Sequence, residues 1–145
     1  MARGRELSNV STLSYVTKVT RSIAPVVGEE FAGTIAFAAY GKWSEKTIFR
    51  TVAQNTYLEI AQELGGFEPN SKVALTRYLP LAMALAAEFY KYWSKYPNGI
   101  PEDRLEDIAV LWALDPKKKF PYEKALRIVN ILNEAFERIR GEKGA

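Results

Sequence analysis

The chain has 145 residues, 48% of them hydrophobic, with a net charge of +3 and neither Cys nor His. That length suits one domain, and that apolar fraction is enough for a core without a metal or a disulfide. The missing residue types exclude thiol nucleophiles, Cys/His zinc sites, imidazole acid–base chemistry and Ser-His-Asp triads, and they leave the redox compartment open.

The first patterned stretch is NVSTLSYVTKVTRSIA (9–24). Its β-branched residues favour a strand on propensity. Its faces favour a helix: Ser14, Lys18, Arg21 and Ser22 fall at i, i+4, i+7 and i+8, and Leu13, Val16, Thr20 and Ile23 fill the opposite side. The expectation is a helix from Asn9 to Ala24, stopped by Pro25 and preceded by a basic arm carrying Arg3 and Arg5.

GEEFAGTIAFAAYG (28–41) follows, with Glu29 and Glu30 in a first turn where acids favour the helix dipole. Phe31, Ile35, Phe37 and Tyr40 make it apolar nearly all round, and a helix without a polar face is buried on all sides. In a chain this small, these four residues are expected to be covered partly by another subunit.

SEKTIFRTVAQNTYLEIAQELGG (44–66) is a clearer helix. Ser44 can cap it, Trp43 can staple onto Ile48, and Gly65-Gly66 ends it. Phe49, Val52, Ala53, Tyr57, Ile60, Ala61 and Leu64 form its apolar stripe. The paired glycines read as a helix exit, because a phosphate loop would need a Lys-Ser/Thr behind them.

SKVALTRYLPLAMALAAEFYKYWSKYPNG (71–99) begins at the potential cap Ser71, and Pro80 is expected to kink or split it near residues 78–79. At its end, Phe89, Tyr90, Tyr92, Trp93 and Tyr96 point in several directions, with Lys91 and Lys95 between them. Three readings stand open here: core plus surface tyrosines, a subunit interface through Tyr90, Trp93 and Tyr96, or stacking on unpaired bases.

Asn98-Gly99 marks a turn, and PEDRLEDIAVLWALDP (101–116) reads as a short helix between two prolines. Glu102 and Glu106 share a face, as do Asp103 and Asp107, which admits a hard-cation site. Acids in a first turn serve the helix dipole, so a solvated turn with no metal is expected. Lys117, Lys118 and Lys119 read as a solvated loop, with contact to a polyanion or an acidic neighbouring subunit as the alternative. The last helix, PYEKALRIVNILNEAFERIRG (121–141), has apolar residues at spacings of three and four and is expected to stop at Gly141.

The expected fold is therefore all-α: an N-terminal helical arm (1–28) followed by a compact multi-helix bundle as a single domain (29–145). The longest apolar run, FAGTIAFAAY (31–40), is far short of the roughly 18–20 residues of a membrane span. No apolar run follows the opening arginines, so a soluble chain without a signal peptide is expected.

Charge is unevenly placed. Residues 1–27 hold four cations against one acid, residues 57–114 five against eight, and residues 115–145 eight against five. Lys42, Lys46 and Arg50 recur at a spacing of four across a helix start. With Arg3, Arg5, Lys18, Arg21 and the hydroxyl of Ser14, they suit phosphate contacts, an ordinary solvated surface being the alternative. Lys46 opposes the dipole of the helix it begins, which an anionic partner would offset. No nucleophile–base pair or oxyanion arrangement can be placed, so neither an enzyme nor a cofactor is expected.

The start MARGR, the polar and β-branched first helix, the stretch YGKW (40–43) and the all-helical body without Cys or His resemble the major capsid proteins of filamentous archaeal viruses with linear double-stranded DNA, the rudivirus, lipothrixvirus and tristromavirus group. The resemblance concerns overall organisation, best over the first 65 residues. It implies a virion protein, in the host cytoplasm before assembly, pairing with itself or with a related second capsid subunit; the lack of Cys, the two Met and the Lys/Glu-rich helices separately lean towards a thermophilic source. Such dimers stack into a helical filament around DNA held in A-form, with a lipid envelope outside in some members. It also implies that Arg3, Arg5, Lys18, Arg21, Lys42, Lys46 and Arg50 face the DNA. The longer body, with its proline-split helix 72–96, departs from the smallest members. A small helical RNA-binding subunit of an RNA-guided defence complex is the alternative.

Overall fold

The computed structural model describes residues 17–21, 23–25, 32–33, 35–36, 47–65 and 71–144. All regular structure among the described residues is helical, so the chain is all-α. Among the described residues four long helices stand out: α1 (Thr47–Gly65), α2 (Ser71–Trp93), α3 (Glu102–Leu114) and α4 (Tyr122–Gly144). Residues 17–21, 23–25, 32–33 and 35–36 are helical as well. α1 packs on α2, α3 packs on α4, and α4 also touches α1 and α2, so α4 ties the bundle together.

α1 buries Phe49, Val52, Ala53, Thr56, Ile60 and Ala61, the stripe its spacing predicts with one polar addition. Thr56 is tolerated there because its hydroxyl donates to the Val52 carbonyl at 2.7 Å, so its polar atom is satisfied. Tyr57 and Leu64 pack at the edge, half-buried. Arg127 on α4 donates from Nε to Glu63 at 2.6 Å, a partly exposed pair linking α4 to α1.

α2 corrects one expectation: it is not split at Pro80 but runs through it as one helix. Proline inside a helix costs about 3 kcal/mol. Tyr78, Leu79, Leu81, Ala82, Met83 and Leu85 around it are all buried. Large apolar side chains contribute roughly 1.5–3 kcal/mol each when buried, so packing on both sides outweighs one missing N–H.

The α2–α3 link turns at Gly99, whose φ is +102° and whose N–H bonds the Tyr96 carbonyl at 3.0 Å. A Cβ there would meet no atom within 4 Å, so substitution strains only the backbone. Gly99→Ala is expected to destabilise the chain by about 1–2 kcal/mol in urea unfolding.

α3 begins after Pro101, whose carbonyl accepts from the N–H groups of Arg104 and Leu105 at 3.0 and 3.1 Å. It buries Leu105, Ile108, Ala109 and Trp112 and ends at Leu114. Asp115 is extended (φ −69°, ψ 116°), the conformation that the following Pro116 imposes. α4 starts after Pro121, whose carbonyl accepts from Ala125 at 2.9 Å. It does not stop at Gly141 but continues to Gly144. Glycine in a helix costs only about 1 kcal/mol relative to alanine, and the neighbouring Arg140 is held by three partners described below.

The described N-terminal residues pack into the same core. Val19 and Ile23 are 3% and 0% exposed, so the helical residues around them are seated in the core. Ala32, Ile35 and Ala36 are also fully buried in the chain's own core, so covering Ile35 needs no second subunit. Phe31, Phe37, Tyr40 and the cap at Ser44 lie outside the described residues.

Candidate functional site

Of the eight residues expected to meet nucleic acid, three are described. Lys18 and Arg21 are exposed, about one helical turn apart, while Val19 and Ile23 anchor the same segment in the core. These two cations are thus held outward on a seated segment. Arg50 is half-buried on α1, beside core residue Phe49, and is not brought to the surface as Lys18 and Arg21 are. Arg3, Arg5, Ser14, Lys42 and Lys46 lie outside the described residues.

The aromatic end of α2 packs within the chain. Phe136 of α4 is fully buried and lies against Phe89 at 5.8 Å, Tyr90 at 5.9 Å and Trp93 at 4.9 Å between ring centroids. Tyr90 also meets Phe49 of α1 edge-on at 5.2 Å, which fastens three helices at one place. Trp93 donates from Nε1 to Glu137 at 2.7 Å. Arg140 sits over the Trp93 ring at 4.0 Å, pairs with Glu137 at 2.9 Å and donates to the Tyr96 carbonyl at 2.6 Å. Among the open readings, core packing describes Phe89, Tyr90 and Trp93. Tyr96 is half-buried against the same cluster. The physical reason is that α1 and α4 cover different sides of the α2 end, so one bundle occupies faces that sequence periodicity alone assigns to solvent.

Lys118 is the residue that sequence reasoning missed. It is expected in a solvated loop, yet its side chain is only 4% exposed. Its ammonium contacts Asp115 at 2.7 Å and Glu88 at 2.9 Å and lies 5.7 Å from the centre of the Trp112 ring. The sequence signal is Asp-Pro-Lys-Lys: the Asp115 carboxylate accepts the Lys117 N–H at 2.9 Å, a local turn that aims Lys118 back at the bundle. The Lys118 hydrogen bond lowers the pKa of Asp115, against the opposing effect of burial and with help from Lys117. Burial opposes the charge of Lys118, but hydrogen bonds and attraction from Asp115 and Glu88 outweigh it and raise its pKa.

Asp115 therefore contributes stability above the ordinary value of 3.8, lost as falling pH passes its lower folded value. Lys118 contributes stability below 10.5, lost as rising pH passes its higher folded value. Lys118→Met is expected to cost about 1–2 kcal/mol at pH 7, less than for a fully buried pair because both carboxylates are partly exposed. In urea titrations the gap from the native chain should narrow as pH falls below 3.8.

An open groove of about 400 Å³ runs beside this cluster, lined by Glu88, Lys91, Tyr92, Leu111, Trp112, Leu114, Asp115 and Lys118. Glu102, Asp103, Glu106 and Asp107 are exposed at the other end of α3, with Arg104 paired to Asp107 at 3.1 Å. Among the described residues no three acidic side chains come together as metal ligands, and no helix is long and apolar enough to cross a membrane.

Comparison of the chain with protein-family models, with curated proteins and with solved structures returns no match.

Proposed function

We propose that this chain is a structural capsid protein that coats and condenses double-stranded viral DNA in a helical filament. It acts in the virion, through phosphate contacts that ignore sequence and through packing of copies of itself or of a related subunit. The observation that supports this most is the outward pair Lys18 and Arg21, seated by Val19 and Ile23 within a segment whose first 27 residues hold four cations and one acid. Duplex DNA carries one charge per roughly 1.7 Å of axis, so a coat needs a few cations per subunit, repeated, rather than a base-reading element. The acidic stretch 57–114 then faces away from the DNA.

The test is binding of the full chain to duplexes of unrelated sequence and to single-stranded RNA, at low and raised salt. Equal affinity for the duplexes, falling steeply with salt, is the expected result. Preference for single-stranded RNA without self-assembly would favour an RNA-binding subunit instead, and no binding at low salt would end the proposal.

A further inference from the structure

The outer face of α3 is divided in two. Its first half carries Glu102, Asp103, Glu106 and Asp107, all exposed, against Arg104 alone. Its second half is apolar: Val110, Leu111 and Leu114 are 42%, 52% and 74% exposed, and Leu114 is the most exposed large hydrophobic among the described residues. Beyond the helix end the sign reverses. Lys117 and Lys119 are exposed in the link, and exposed Lys91 lines the groove beside Leu111 and Leu114. The acids at this end, Glu88 and Asp115, both contact buried Lys118, which offsets much of their charge and leaves the end basic.

We propose that this face pairs with the same face of a second copy, antiparallel, about a two-fold axis near Val110 and Leu111. These two residues stand midway in sequence between Glu102 and Lys119. An antiparallel pair therefore sets the acidic end of each copy against the basic end of the other, twice, while Val110 and Leu111 of each copy meet at the axis and Leu114 lies about one helical turn to the side. A parallel pair would set acid on acid. Self-complementarity of this kind is what a two-fold contact requires. The helix is roughly 20 Å long, and the groove widens the contact on the side of Tyr92 and Trp112. The pairing needs no nucleic acid, so it stands or falls separately from DNA coating.

Sedimentation equilibrium of the full chain without nucleic acid tests it. The expected result is a concentration-dependent dimer that Leu111→Asp and Leu114→Asp each abolish, with circular dichroism unchanged because both positions are exposed. Charge reversal gives a second readout that does not depend on the apolar centre. Asp103→Lys with Asp107→Lys should weaken the dimer, and so should Lys117→Glu with Lys119→Glu. An equal mixture of these two doubly substituted chains should restore it, since both charged contacts become complementary again. The native chain has no Cys, so Leu111→Cys should form a disulfide-linked dimer on oxidation, while Glu123→Cys, exposed at the start of α4, should not. A monomer at every concentration overturns the proposal. So does a dimer that survives Leu114→Asp and both charge reversals, or a mixture that fails to re-form.

Discussion

Phe136→Ala is expected to lower the stability of the fold by about 3–5 kcal/mol. Phe136 is fully buried on α4, and its ring meets Phe89, Tyr90 and Trp93 within 5.9 Å. Truncation removes the apolar surface and also aromatic pairing, worth roughly 0.5–1.5 kcal/mol per pair beyond burial. The space left cannot close easily. Tyr90 is held from the other side by Phe49, and Trp93 is fixed by Glu137 and Arg140, so the lining side chains are already committed. Against a native stability of about 5–15 kcal/mol, this is a large fraction. Urea unfolding followed by circular dichroism gives the value. Phe136→Leu keeps most of the volume and should cost roughly 1–2 kcal/mol. A loss under about 1 kcal/mol for the alanine variant would mean that the aromatic end of α2 is not packed on α4.

The second large effect concerns binding. Lys18→Glu combined with Arg21→Glu should weaken duplex DNA binding by about a hundredfold at low salt and flatten its salt dependence. Each phosphate neutralised contributes about 0.9 to the slope of log affinity against log salt, so losing two contacts reduces the slope by about 1.8. Both side chains are exposed, so the urea midpoint should stay put. Arg138→Glu, which reverses an exposed cation on α4, serves as the control and should change binding far less. An unchanged slope in the double variant would remove this face from the DNA contact.

Much of the fold was legible because periodicity reports burial. The stripe of α1, the apolar face of α4 and the proline-bounded α3 follow from spacing and from the two prolines. Pro80 misled because local propensity counts the lost hydrogen bond and not the buried neighbours on either side. Gly141 misled for the same reason, since Arg140 fastens the helix end through Trp93, Glu137 and Tyr96. Lys118 was invisible to a reading that treats three lysines as solvent-facing. Only the turn made by Asp115 and the distant Glu88 on α2 explain its burial, and such a contact spans 30 residues. Lys18 and Arg21 were legible as a charged face, but spacing alone does not say that the residues between and beside them seat in the core. The buried Val19 and Ile23 make that segment part of the body, so removing residues 1–24 would open the core as well as delete the cations.

Electron microscopy of the full chain mixed with linear double-stranded DNA tests the proposed function most directly. Regular filaments of uniform width, formed on DNA of any sequence and protecting it from nuclease, are the expected result. A monodisperse chain that leaves the DNA bare at low salt would contradict it.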